Sequence, residues 1–391
     1  MNAIIDKGLA ILLPKVATMK QVIQARISKL LERHDYQPVC TPHIGDITLF
    51  ETSGHYPFYK KDMFSPIGEI SDSEGPVGDL DYYLLKPMNC PFHITAYASE
   101  PRSYKELPVR YYEFGTVYRY EKSGALNGLF RLRGFTQDDG HIFCTMEQIE
   151  AEIRTCISLV TNLMKMFNLT VSYKLSLRTV DASDKYVGDP ADWDESERIL
   201  TEIINTATTG KYEVEQGGAA FYGPKIDFVA KDMLQREWQL GTIQLDFNLP
   251  TKFKLQYRDS DNQGKTPVLI HRALLGSLER FIAILLEQPK LPLWLELEQV
   301  RVIPVHKDQL DYAIHVYRSL KNVDIRAKLD AEEAPLSAKI KNAITDKVPI
   351  RLIVGKTEEA DNLVTVNDHL GKFTTGLNAF INNFNSAYDI I

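Results

Sequence analysis

Residues 130–142 read FRLRGFTQDDGHI, and the fold turns on whether this stretch is extended. In an extended chain successive side chains point to opposite faces, so Arg131, Arg133, Gln137, Asp139 and His141 share one face. Polar groups gathered on one side of an otherwise apolar strand read as the wall of a site. From 109 to 144 the alternation runs on either side of YEKSGALNG (120–128), whose turn-forming residues predict two antiparallel strands with a long connection.

Working outward, Met19, Val22, Ile23, Ile27, Leu30 and Leu31 recur at helical spacing, followed by Tyr36, Val39 and Pro42 in extended chain. Residues 66–80, rich in Gly, Ser, Asp and Glu, predict a surface loop before a strand at 82–85. A helix is expected over 147–167, with strands at 171–177, 225–229 and 241–247. Leu278, Phe281, Ile282 and Leu285 mark a buried helix that carries Arg280 among apolar residues. A buried arginine needs a partner, and an anionic ligand supplies one.

Pro289, Pro292 and Trp294 then interrupt the chain, and the rhythm changes. Strands at 300–305, 325–329, 350–354 and 363–366 alternate with helices at 309–320, 337–344 and 375–388, which predicts a small α/β domain. The expected division is 1–290, which holds the two antiparallel strands and several helices, and 291–391, a mixed α/β unit.

Hydrophobic residues make up 44% and charged residues 25% of the 391, so neither a disordered nor a fibrous class is suggested. A formal net charge of -7 argues against a nucleic-acid coat protein but leaves room for a local basic groove. The four cysteines form no CxxC pair, which fits a reducing compartment without disulfides. The apolar run 8–14 is too short for a signal peptide or span, so no membrane association is expected and the chain reads as cytosolic, or organellar.

Three residues have metal-ligand chemistry in distinctive settings: Cys90 in KPMNCP (86–91), His141 on the polar strand face and His271 in IHRA (270–273). Zinc accepts thiolate and imidazole, and a Cys-His-His set leaves a position open for substrate. As a scattered set they read first as a buried cysteine and two hydrogen-bonded histidines. The arginines alter that balance. Arg119, Glu121, Arg131 and Arg133 flank one turn, and Arg280 follows Gly276-Ser277. Guanidinium forks suit phosphate and carboxylate oxygens, so a polyphosphate in a sheet-lined cleft accounts for these charges.

Together with AFYGPK (220–225), GTIQLDF (241–247) and IHRALLGSLER (270–280), the motifs KPMNCP and RLRGFTQDD (131–139) resemble the threonyl-tRNA synthetases of class II. The resemblance runs from about Gly8 into the C-terminal unit. It implies a class II antiparallel catalytic domain over 1–290, an anticodon-binding α/β domain over 291–391, and a homodimer with Pro42 as the motif 1 proline. The implied reaction is ATP-dependent activation of L-threonine and transfer to the 3′ ribose of tRNA(Thr). Cys90, His141 and His271 match the ligands of one zinc ion per subunit, which selects the amino acid. Asp139 matches the acceptor of the substrate hydroxyl, Tyr222 a contact to its amino group, and Gln137 with Arg119 its carboxylate side; Met88 and Gln244 match further substrate-lining positions. Arg119, Glu121, Arg131 and Arg280 match the ATP-binding groups, joined by Gln239 and Thr242, with Mg2+ on the phosphates and Arg119, Arg131 and Arg280 as the catalytic cations.

There are departures. Phe92 stands where the family has glycine, so packing beside Cys90 is expected to differ. Tyr120 and Lys122 replace the usual Asn and Pro in a loop that approaches the tRNA acceptor end, and VTVNDHLG (364–371) lacks the usual arginine-rich stretch. The N-terminal domains common in bacterial members, one of which hydrolyses mischarged serine, have no counterpart in this sequence, so serine mischarging is expected unless another protein edits in trans. Two other readings compete: a paralogue that hands activated threonine to a non-tRNA acceptor, and a non-catalytic sensor of threonine or tRNA.

Overall fold

The extended run that decides the architecture begins at Gly134 in the computed structural model, which describes residues 3–68, 82–179, 185–232 and 234–387. Most of the polar loop expected over 66–80 lies outside the described residues. The chain divides into two compact units, Met1–Pro289 and Lys290–Ile391.

The first unit is organised by an eight-stranded sheet of β1 (Gln37–Pro38), β2 (Val109–Tyr118), β3 (Gly134–Cys144), β4 (Val171–Leu177), β5 (Glu213–Gln216), β6 (Lys225–Lys231), β7 (Glu237–Asp246) and β8 (Val268–Ser277). Their order is β5-β4-β6-β7-β8-β3-β2-β1. The inner pairs are antiparallel, while the outer pairs β5–β4 and β2–β1 run parallel. Strand β8 has no counterpart among the sequence expectations. Its sequence VLIHRALLGS is apolar on both sides of the alternation because it lies mid-sheet with both faces covered, and such a run has no period to betray it. Helix Pro190–Ala207 is likewise an addition to what the sequence predicts.

One face of the sheet packs on helices. Helix α1 (Pro14–Glu32) starts with proline at its first position, where no N–H is required, and buries Val16, Met19, Ile23, Ile27 and Leu31 along one stripe. On this face Arg272 donates to Asp138 at 2.8 Å and lies 4.8 Å from the ring of Tyr36, whose hydroxyl is 3.7 Å from Cys156. Asp138 also accepts from the backbone N–H of Leu274 (2.8 Å) and Leu275 (2.9 Å). Removing either partner of this buried pair would strand a bare charge, a loss of about 3–5 kcal/mol. Gly140 makes the pairing possible, since a Cβ there would come within 2.5 Å of the guanidinium.

The other face carries the odd-numbered side chains of β3 and the helix α2 (Cys90–Ala98). Here Ile94, Tyr97, Tyr111, Phe143, Phe221, Tyr222 and Leu269 form an apolar cluster that floors the site.

Arg131 and Arg133 do not belong to the strand alternation. Asn127 and Arg131 pair across a tight turn, so the chain reverses just before β3 and the period-two register stops at Gly134. Arg133 turns away from the cleft, donating to the carbonyls of Glu121 (2.9 Å) and Lys7 (3.0 Å). The apolar run near the start is the second strand of a hairpin, Ala3–Asp6 with Leu9–Leu12, closed by Lys7 and Gly8 at positive φ.

The second unit holds a five-stranded sheet in the order Ala327–Leu329, Val300–Pro304, Ile350–Val354, Leu363–Asp368, Gly371–Gly376. The first three strands are parallel and joined through helices Leu310–Lys321 and Leu336–Thr345; the last two are antiparallel. Val300, Val302, Leu352, Val354, Val364 and Phe380 share its core. Strand Gly371–Gly376 and helix Lys356–Asp361 have no sequence expectation. No helix among the described residues is long and apolar enough to cross a membrane.

Candidate active site

Strands β7, β8 and β3 run side by side, with Gln244 opposite His271 and His271 opposite His141. Directly opposed residues of antiparallel strands share a face. The two imidazoles consequently meet, with ring centroids 4.7 Å apart and His141 Nε2 2.9 Å from His271 Nδ1. Cys90, the first residue of α2, brings its thiol to the same point, and one ligand atom from each of Cys90, His141 and His271 lies within 4.8 Å of the others. All three residues are buried. Burial pushes the Cys90 thiol well above its ordinary pKa and the His141 imidazole well below, so protein surroundings alone favour neutral donors. A soft sulfur and two imidazole nitrogens in one buried cluster suit zinc.

Around this cluster opens a cleft of about 370 Å³. Met88, Cys90, Arg119, Glu121, Arg131, Gln137, Asp139, Tyr222, Gln239, Thr242, Gln244, His271 and Arg280 all line it. His141 lies behind the wall, without exposed surface. Apart from Arg133, the residues singled out from sequence thus converge, although Arg131 arrives through a turn and Arg280 from the first turn of α3 (Leu278–Leu286).

Arg280 is half-buried rather than a core residue, because it sits where the helix meets the cleft. Its guanidinium donates to the carbonyls of Phe130 (2.9 Å) and Gln239 (3.3 Å). Burial, then the like charges of Arg131 and Arg119, lowers its pKa, a sign of cations crowded in a site that an anion would relieve. Arg131 pairs with Glu121 at 3.0 Å, and Arg119 lies 5.3 Å from the ring of Phe135.

At the metal-ligand end, Asp139 accepts from Asn89 at 2.9 Å, and burial raises its carboxyl pKa. Gly115 allows this, because a Cβ there would approach the Asn89 amide to 2.4 Å. Tyr222 stacks on His271 at 4.7 Å and donates to Gln244. The Thr242 hydroxyl is buried without a protein partner, a polar group on the cleft wall. Gln239 is less free: its amide is bonded to Asp227.

The model of the tRNA synthetase class II core domain (G, H, P, S and T) matches residues 77–289, and that of an anticodon binding domain matches 299–376. The threonine–tRNA ligase of Thermus thermophilus is 48% identical over 368 residues, 93% of this chain and 55% of that protein. A solved structure titled as the RNA binding domain of threonyl-tRNA synthetase from Cryptosporidium parvum Iowa II aligns with a TM-score of 0.90 at 35% identity, covering 98% of this chain and 95% of that one. The chain belongs to the class II threonyl-tRNA synthetases. A putative threonyl-tRNA synthetase, ThrRS-1 from Aeropyrum pernix, aligns at 0.80 and 28% identity, covering 98% and 88%. The chain spans about half the length of the curated relatives it matches, 55% in the Thermus case.

Against this synthetase family the departures acquire a setting. Phe92 packs edge-on to Phe50, 6.0 Å between centroids, with the Lys86 ammonium 5.6 Å from its ring. Gly45 makes room, since a Cβ there would meet Phe92 at 2.6 Å. Tyr120 is exposed, with Phe64 edge-on at 5.3 Å and the Arg133 guanidinium 4.9 Å from its ring.

Residues that carried no role in the sequence reading also surround the site. Lys225, paired with Asp227 at 2.6 Å, and Phe135 line the cleft. Behind the ligands stand Asp246, 2.9 Å from His271, and His93, 2.8 Å from His141. One signal was available: Cys90 and His93 are three apart, which on a helix places them on one side.

Proposed function

We propose that this chain is a threonine–tRNA ligase that forms threonyl adenylate from L-threonine and ATP and transfers the threonyl group to the 3′-terminal ribose of tRNA(Thr). The observation that carries the reading is the cleft itself, which sets a buried Cys-His-His cluster beside three converging arginines. A polar amino acid and a polyphosphate fit its two ends.

Cys90, His141 and His271 would hold one zinc ion. When bound, that ion supplies a Lewis-acidic centre for the amino and hydroxyl groups of threonine. Valine offers a methyl in place of the hydroxyl, and a site built to pair a hydroxyl rejects its absence strongly. Asp139 accepts a hydrogen bond from the hydroxyl, Tyr222 faces the amino group, and Gln137 with Arg119 holds the carboxylate, with Met88 and Gln244 closing the pocket. Arg119, Arg131 and Arg280 balance charge on the α-phosphate and the departing pyrophosphate as the carboxylate attacks, together with Mg2+ on the phosphates. Glu121, Gln239 and Thr242 complete the nucleotide side. The second unit, matched by the anticodon-binding model, would contact tRNA, and the working form would be a homodimer with Pro42 at its interface.

The test is threonine-dependent ATP–pyrophosphate exchange measured beside aminoacylation of a threonine tRNA transcript, with metal content by plasma emission. Activity in both assays is expected, with about one zinc per chain. Exchange without charging would favour a non-tRNA acceptor, and neither activity in a zinc-loaded protein would favour a sensor.

A further inference from the structure

An imidazole has two ring nitrogens, and the hydrogen bond made by one decides what the other can do. His271 Nε2 lies 2.9 Å from Asp246 Oδ2. That carboxylate is held as an acceptor by the backbone N–H groups of Asn248 (2.7 Å) and Leu249 (3.0 Å). An ionised carboxylate only accepts, so Nε2 carries the proton and Nδ1 presents its lone pair to His141 and Cys90.

Among the described residues, His141 has no carboxylate as a direct hydrogen-bond partner. Its Nδ1 is 2.8 Å from Nδ1 of His93, and His93 Nε2 is 3.2 Å from Glu113 Oε1. Glu113 is itself gripped by the Thr41 hydroxyl (2.6 Å), the Thr41 N–H (3.2 Å) and the Lys86 ammonium (3.5 Å). The same accounting runs outward from it. His93 donates from Nε2 to Glu113, its Nδ1 is an acceptor, His141 donates from Nδ1 to His93, and His141 Nε2 is left with a lone pair. The unprotonated nitrogens of His141 and His271 then lie 2.9 Å apart with no proton between them, and a cation bound by both, off the line joining them, relieves that repulsion.

We propose that His93 and Glu113 are positioning residues that fix the tautomer and ring orientation of His141, doing through two side chains what Asp246 does for His271 in one. The relay rests on the reading of Cys90, His141 and His271 as zinc ligands. Outer-shell partners that orient a ligating imidazole commonly change metal affinity roughly 10–100-fold when removed.

The experiment compares the full chain with His93→Leu, His93→Gln and Glu113→Gln. Zinc affinity is read by chelator competition, the ligand field by the visible and near-ultraviolet bands of the cobalt-substituted protein, and folding by circular dichroism. Leucine fills the histidine volume but cannot accept from His141; glutamine can accept through its side-chain oxygen. His93→Leu should weaken zinc binding roughly 10–100-fold with altered cobalt bands, and His93→Gln should recover most of the loss. Glu113→Gln keeps an acceptor for His93 but removes the charge that fixes its tautomer, so it should weaken zinc binding by a smaller factor than His93→Leu, and that weakening decides the matter if the leucine variant does not fold. Variants that bind zinc as the unaltered chain does, or leucine and glutamine variants that weaken it equally, would overturn the relay. An unaltered chain that takes up no zinc overturns the ligand reading beneath it as well.

Discussion

His55 shows how burial, ahead of neighbouring charges, sets the chemistry of a residue. Its ring has no exposed surface, Nδ1 lies 2.8 Å from the Ser53 hydroxyl, Nε2 lies 3.2 Å from the Met88 sulfur, and Phe221 stands edge-on at 5.5 Å. Burial first, then the neighbouring His271, Arg119 and Lys252, takes its pKa from 6.5 down to about 3. The unfolded chain therefore binds a proton below about pH 6.5 that the fold refuses until about pH 3. Stability contributed by neutral His55 is complete above that window and falls as the pH drops through it, by at most about 1.4 kcal/mol per pH unit. Replacing His55 with asparagine should flatten the acid side of the stability profile by about 1 kcal/mol near pH 5.5. Urea unfolding of both proteins between about pH 7 and 4.5 measures this, and parallel profiles would count against it.

At the scale of elements, alternation on β3 correctly groups Gln137, Asp139 and His141, because an inner strand has no freedom to change its parity. It fails at Arg131 and Arg133, where the Asn127–Arg131 turn breaks the period. The same connection carries Tyr120, whose exposed ring is braced by Phe64 and Arg133 close in sequence to the exposed Lys122. An aromatic platform among cations suits a nucleobase on a phosphate backbone. If the acceptor end of tRNA reaches this loop, Tyr120→Ala should raise the KM for tRNA by the equivalent of about 1–3 kcal/mol and Tyr120→Phe should restore it. Pyrophosphate exchange, which needs no tRNA, should be unaffected. Equal losses in both assays would show that the ring supports the cleft rather than the tRNA.

For the whole molecule, the described residues that line the cleft all belong to the first unit, between Tyr59 and Arg280. A chain ending at residue 289 should therefore keep threonine-dependent exchange within a few-fold and lose most of its tRNA charging; loss of exchange in a folded fragment would show that the second unit supports the first step. By itself, the sequence determined the helical stripe of α1, the parity of β3, the alternating strands and helices after Pro292, and the identity of the metal-ligand candidates, since each is a local pattern or a contiguous motif. Tertiary structure alone decided the rest. Strand β8 is hidden because its apolar residues fall on both sides of the alternation, and Arg280 becomes a cleft residue through the placement of its helix start. The links from His141 through His93 to Glu113, and from His271 to Asp246, join residues from α2, β2, β3, β7 and β8. Such partnerships depend on sheet register and on where α2 docks, and hydrogen bonds between distant segments leave no periodic trace in the chain that makes them.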